Sequence, residues 1–142
     1  MSVEKFSSIF AGLEQAYGTF KIEKQTQSGK NAGKAAVIRE TRTTELWEGH
    51  LSGTGKGIGI IPINEDNCCV WGCIDIDQYP LDHTDLVAKI RQAKLPLVVC
   101  RSKSGGAHCF LFTTEWIEAK VMQETLQHIS TALGYGNSEI FP

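Results

Sequence analysis

Apolar residues recur at helical spacing at Phe6, Ile9, Phe10, Leu13 and Tyr17, which predicts an amphipathic first helix closed by Gly18. TFKIEK follows, and then QTQSGKNAGK, whose Gly, Ser, Asn and Lys content reads as an exposed, mobile loop. AAVIRE has the make-up of a short strand. Thr43 or Thr44 can cap a second helix through Leu46, Trp47 and Leu51, ending in the glycine-rich SGTGKGIG before the strand-like IGIIPI. After the turn NEDN, CVWGCIDID reads as a strand. The helix after it, from about Thr84 to Lys94, turns Leu86, Val87, Ile90 and Ala93 inward, so the two make a β-α unit. LPLVVCRS and AHCFLF are apolar strands joined by KSGG. Trp116 to Leu133 is the longest expected helix, with Met122, Leu126, Ile129 and Leu133 in register and Gly134 past its end; EIF begins a last strand.

This order predicts the α/β (α+β) class, a mixed sheet with flanking helices, similar to a palm or RNA-recognition-type module. At 142 residues the chain is long enough for one hydrophobic core. We expect one domain over 1–142, with 1–58 an N-terminal α/β subregion and 59–142 the part that holds the chemistry. The apolar runs GIGIIPI and LPLVVC are too short to cross a bilayer, and MSVEKFSS has no signal-peptide core. No membrane association and a cytoplasmic location are therefore expected. Cys68, Cys69, Cys73, Cys100 and Cys109 are odd in number and lack CxxC spacing, which argues for free thiols over disulfides or a zinc ribbon. The formal charge of -2 divides unevenly: +2 over residues 1–58 and -4 over 59–142. A general basic field for duplex binding is absent, so any nucleic-acid contact is local, with Lys21 to Lys34 and the Arg101/Lys103 pair as its sources.

The stretch CCVWGCIDIDQY places two carboxylates, Asp75 and Asp77, among apolar neighbours. Two residues apart on a strand, they share one side of the sheet and repel each other. Protonation relieves that repulsion, and so does a hard divalent cation such as Mg2+ or Mn2+, which prefers carboxylate oxygen and keeps positions open for water and phosphate. The pair ends its strand near the sheet's carboxyl edge, where open α/β sheets bind ligands. Taken alone, DxD also describes two solvated strand-end aspartates.

RSKSGGAH changes the weighing. Within eight residues it holds Arg101 and Lys103, the hydroxyls of Ser102 and Ser104, two glycines able to expose backbone N–H groups, and His108. Such a turn can cradle a polyphosphate, with His108 donating to an oxygen that a divalent ion also holds. Its plainer reading is an ordinary hairpin turn. Glu139 is the third candidate, either completing a three-carboxylate cage or standing as a solvated strand-end residue. HLSGTGKGIG fails the P-loop pattern, since Gly57 follows Lys56 and the loop trails a helix. His50, His83 and His128 lack partners at metal-ligand spacing, and Trp47, Trp71 and Trp116 read as core or helix-face aromatics.

Together WEGHLSGTGKGIGIIPINEDN, CIDIDQYP, LPLVVCRSKSGGAHCFLF and SEIFP resemble the archaeo-eukaryotic primase superfamily. They look most like the primase-polymerase domains of bacterial, phage and TOTE conflict-type systems, over nearly the whole chain. The resemblance implies a DNA primase/polymerase-type nucleotidyltransferase that joins nucleotides on a single-stranded DNA template with two divalent metals, Mg2+ or Mn2+. It implies that Asp75 and Asp77 bind the metals, that Ser104 and His108, with Lys103, bind the triphosphate, and that Glu139 is the third acidic residue. Such domains continue past the EIFP strand, so the chain is expected to be the N-terminal part of a longer protein with a helicase or other replication module downstream; its activity in isolation is left open. Two rivals stand beside this: a DxD metal-dependent phosphohydrolase with Asp75 as nucleophile, disfavoured because Tyr79 stands where that class wants Thr or Val, and a non-catalytic module that binds nucleotides or single strands.

Overall fold

A computed structural model describes residues 2–25 and 31–142, with side chains at 2–20 and 33–142. The chain divides into two units, Met1–Asp66 and Asn67–Pro142, each built on its own antiparallel sheet. Among the described residues no helix is long and apolar enough to cross a membrane.

The first unit runs α1 (Val3–Ile9), β1 (Tyr17–Gln25), β2 (Asn31–Ile38), α2 (Thr44–Ser52) and β3 (Gly57–Gly59), with strand order β2-β1-β3. Ser2 caps α1 by accepting from the Lys5 N–H at 3.3 Å. The helix stops well short of the Tyr17 that the apolar spacing suggested. Gly12 lies against the Ile61 carbonyl, where a Cβ has no room, and the Leu13 N–H donates to that carbonyl at 2.9 Å. A contact from far along the chain thus takes Leu13 out of the helical stripe, and Tyr17 opens β1 opposite Ile38. β2 begins at Asn31, so NAGK forms part of a hairpin arm where a loop was expected, and residues 26–30 of that loop lie outside the described residues, as do the side chains of 21–32 in the expected basic stretch. Thr43 caps α2, Trp47 buries its ring edge-on to Phe6 at 5.8 Å between centroids, and Gly53 closes the helix at φ 72°. Of IGIIPI only the first two residues are strand, within β3 opposite β1.

The second unit runs β4 (Cys68–Ile76), α3 (His83–Gln92), β5 (Leu97–Arg101), β6 (Ala107–Glu118), α4 (Ala119–Ala132) and β7 (Glu139–Phe141), with strand order β5-β6-β4-β7. Two β-α-β crossovers are interleaved. β6 fills the place between β4 and β5, and β4 fills the place between β6 and β7. This is the split β-α-β arrangement of RNA-recognition-type and palm-like modules, so the expected α+β class holds. Every neighbouring pair is antiparallel, because each crossover returns its strand one place beyond a neighbour. Ile74, Ile76, Ala107, Cys109 and Leu111 alternate onto one face of the sheet and meet Leu86 and Ile90 of α3 and Met122 and Leu126 of α4. Each fully buried Ile or Leu stabilises this core by roughly 1.5–3 kcal/mol.

The expected helix from Trp116 starts only at Ala119. Cys68 and Cys69 pair with Glu118 and Ile117 beyond a bulge in β6, and that ladder holds β6 extended to Glu118. Trp116 is consequently a strand residue, 45 % exposed and outside the core. All five cysteines stand outside any disulfide, and burial pushes the thiols of Cys73 and Cys109 up to about 12 and about 11, keeping them protonated.

Candidate active site

The face of the second sheet turned away from α3 and α4 holds the polar residues that the sequence singled out. In register, Asp75 of β4 lies directly opposite His108 of β6 on one side and Glu139 of β7 on the other. His108 in turn lies opposite Cys100 of β5. Directly paired residues project to the same side, so Cys100, His108, Asp75 and Glu139 form a row across all four strands. Asp77, two residues after Asp75, falls just past the end of β4 and is exposed. One step back along the strands the same face becomes aromatic: Phe110 meets His108 edge-on at 6.0 Å and Trp71 at 6.1 Å. That edge-on contact sets the plane of the imidazole.

His108 Nε2 stands 3.4 Å from Asp75 Oδ1, close enough for charge attraction but outside hydrogen-bond geometry. Asp75 Oδ1 is buried and makes no hydrogen bond. Burial pushes the Asp75 carboxyl above its ordinary range; His108 pulls it down, while Asp77 and Glu139 push it further up. An orphaned carboxylate oxygen with two more carboxylates acting on it is a site of unsatisfied negative charge. Its donors are all hard oxygens, which fits Mg2+ or Mn2+. Among the described residues no three His, Cys, Asp or Glu side chains converge as a closed cage, and Mg2+ ordinarily completes its shell with water and phosphate oxygen.

The KSGG turn connects β5 to β6 and stands beside this row. The Ser102 N–H donates to the Gly106 carbonyl at 2.9 Å and the Gly105 N–H to the Ser102 carbonyl at 3.1 Å. Gly105 sits at φ 96°, a conformation that side chains rarely adopt. Gly106 presses against the carbonyl of Ile76, the residue between the two aspartates, leaving no space for a Cβ. This contact ties the turn to the end of β4. Lys103 and Ser104 are exposed at its tip. The Ser102 hydroxyl is buried and lacks a hydrogen-bond partner.

Two residues left without a role by the sequence reading belong to this neighbourhood. His83, opening α3 beside its capping Asp82, places Nε2 3.0 Å from the Gly106 carbonyl, bracing the turn from the helix side. The Tyr79 hydroxyl donates to Asp77 Oδ1 at 2.7 Å. Asp77 holds the Tyr79 phenol above its ordinary value through that hydrogen bond. The spacing of Asp77 and Tyr79 was the one signal available for the phenol: extended residues two apart lie on one side. Nothing in the sequence pointed to His83.

Comparison with protein families identifies a match over residues 14–140 to the model described as the Archaeo-Eukaryotic Primase domain of the TOTE conflict system. No curated protein matches the chain.

Proposed function

The chain belongs to the archaeo-eukaryotic primase domain family of TOTE conflict systems, a family of primase-polymerase-type nucleotidyltransferases, and from that membership we propose that it joins nucleotides on a single-stranded DNA template. The observation that supports this best is the row His108–Asp75–Glu139 with a glycine turn tied to its end at Ile76. In this reading Asp75 and Asp77, with Glu139, hold two Mg2+ or Mn2+ ions. Bound there, the metals lower the cost of forming the attacking 3′-oxygen and of releasing pyrophosphate. Lys103 and Ser104 of the turn bind the triphosphate, and His108 donates to one of its oxygens. The side chains position and stabilise charge and form no covalent bond with the substrate. The cytoplasm, nucleoside triphosphates as substrates and a helicase or other replication module in the same protein are parts of the same proposal.

The test is incorporation of a labelled nucleotide on a primed single-stranded template with Mn2+ or Mg2+, beside the same reaction in chelator. Metal-dependent extension supports the proposal. Phosphate release without extension points to a phosphohydrolase, and nucleotide binding with neither points to a binding module.

His108→Ala is expected to weaken nucleoside triphosphate binding by about 1–3 kcal/mol, the scale of a charge-assisted hydrogen bond. Nucleoside monophosphate binding should change far less, because only the longer phosphate chain reaches the turn. Titration of both ligands checks this; equal losses would mean that His108 serves only the strand pair.

A further inference from the structure

Three segments meet at Gly106. Its carbonyl accepts from the Ser102 N–H at 2.9 Å, which closes the β5–β6 turn, and also stands 3.0 Å from Nε2 of His83, 23 residues earlier in the chain. Its backbone presses against the Ile76 carbonyl at the end of β4. A carbonyl oxygen has two lone pairs and can only accept, so Ser102 and His83 together fill its capacity. The imidazole must therefore carry a proton on Nε2. The turn's own bonds, Ser102 N–H to the Gly106 carbonyl and Gly105 N–H to the Ser102 carbonyl, run within residues 102–106, and the β5–β6 ladder ends at the pair Arg101 and Ala107. They shape the turn without fixing how it leans on β4. The bond from His83 does something else, because its donor opens a helix that Leu86 and Ile90 anchor in the core. Asp82 caps that helix by accepting from the Thr84 and Asp85 N–H groups.

We propose that His83 is a positioning residue for the nucleotide: by donating from Nε2 to the Gly106 carbonyl, it holds the turn that carries Lys103 and Ser104 in place beside Asp75 and Asp77. This rests on the triphosphate reading of the turn given above. His83 is half-buried and in this role touches no substrate. Removing its N–H leaves the Gly106 carbonyl with the Ser102 bond, so the ladder and the core stay as they are while the turn gains freedom. A triphosphate then has to order the turn on binding, and its affinity falls by that cost. Asp75 and Asp77 belong to β4 and the chain just past it, which this bond does not hold. Mn2+ affinity should therefore stay unchanged.

The experiment compares His83→Phe, which keeps a ring and removes the donor, with His83→Gln, whose amide nitrogen can donate from nearly the same place. Circular dichroism first establishes that both fold. A deoxynucleoside triphosphate and the matching monophosphate are titrated in the presence of Mn2+, Mn2+ alone is titrated by calorimetry, and primer extension gives kcat and KM. The expected result in His83→Phe is about a three- to tenfold loss of triphosphate affinity, the scale of one neutral hydrogen bond. KM should rise by the same factor and kcat change less, with monophosphate and Mn2+ binding unaltered. His83→Gln should recover most of the loss. Unchanged triphosphate affinity in folded His83→Phe would overturn the role and leave the turn standing as a phosphate site. A loss that glutamine does not recover, or one equal for both nucleotides, would mean that His83 only packs, and would overturn it too. Failure of the unaltered chain to bind triphosphate would overturn the phosphate reading of the turn and this role with it. Should His83→Phe not fold, the unaltered protein still decides: in a proton–nitrogen correlation spectrum of the imidazoles, taken well above the ordinary histidine pKa of about 6.5, His83 is expected to be protonated at Nε2 and bare at Nδ1. A proton on Nδ1 in its place would overturn the proposal, since Nε2 would then have nothing to donate.

Discussion

Asp75→Asn is expected to abolish Mn2+ binding and to lower nucleotide incorporation about a hundred- to a thousandfold, the range for removing one preorganised stabilising group from a reaction site. The metal-free fold should survive and gain slightly in stability at neutral pH. Asp75 is the central member of the row, 22 % exposed at its side chain, with one oxygen buried and unbonded and two other carboxylates acting on it. Its folded-state carboxyl is raised above the ordinary value of 3.8, chiefly by burial. The folded state therefore holds this proton more tightly than the unfolded chain does. That contribution to stability is complete below the unfolded value and is lost as pH rises through the folded one. At pH 7 the ionised Asp75 is a net cost in the absence of metal, which asparagine removes. The melting temperature of Asp75→Asn should exceed that of the unaltered protein at pH 7, and the difference should shrink as pH falls toward 4. Thermal melts at both pH values, with calorimetric Mn2+ titration, check the two halves of the prediction. Unchanged Mn2+ affinity would remove Asp75 from the metal site, and a large fall in melting temperature at pH 7 would mean that its charge is already paired.

Gly106→Ala should be the most damaging change of a single methyl group in the turn. A Cβ at this position runs into the Ile76 carbonyl oxygen and comes within 3.3 Å of the Ser102 hydroxyl oxygen. The carbonyl is backbone of the last paired residue of the β4–β6 ladder, Ile76 opposite Ala107, and that pairing restrains its retreat. The turn must move instead, which breaks the register of Lys103 and Ser104 with the aspartates. Overpacking of this kind costs typically about 1–3 kcal/mol of stability. Displacement by about 1 Å of a positioning element costs on the order of a hundredfold in rate. The expected signature is a folded protein with a lower melting temperature, intact Mn2+ affinity and a nucleotide KM and incorporation rate that are both severely impaired. Gly105→Ala strains the backbone at φ 96° but meets no neighbour within 4 Å, so its effect should be the smaller of the two. Nucleotide binding unchanged in Gly106→Ala would show that the turn does not touch the ligand.

Much of the second unit was readable from the chain. Apolar runs bounded by turns placed β4, β5 and β6, and the helical register of Met122, Leu126 and Leu133 placed α4, because both patterns record burial. Asp75, Asp77, Lys103, Ser104 and His108 stood out because carboxylates in an apolar strand and a cationic glycine turn are costly or unusual without a ligand. Glu139 stood out only by its place at the start of a strand. What the local pattern got wrong came from contacts distant in sequence. Leu13 and Tyr17 fit a helix by spacing, yet the Ile61 carbonyl and the Ile38 pairing took them. Trp116 fit the next helix, yet Cys68 and Cys69 kept it in β6. Strand pairing wins there because a ladder satisfies the backbone groups of several residues at once, whereas the apolar stripe at a helix end decides only a residue or two.

Composition, element type and the identity of the reactive side chains were thus legible along the chain, since each depends on a residue and its near neighbours. The order β5-β6-β4-β7 and the register that sets His108 and Glu139 on either side of Asp75 were not. Strands read alike whichever neighbour they take, and a shift of one residue in register would have put His108 on the helix-covered face. The closeness of Gly106 to the Ile76 carbonyl and to His83 likewise depends on where the end of β4, the start of α3 and the β5–β6 turn meet. Only the packed tertiary structure brings those three segments together, because no local preference encodes the distance between them.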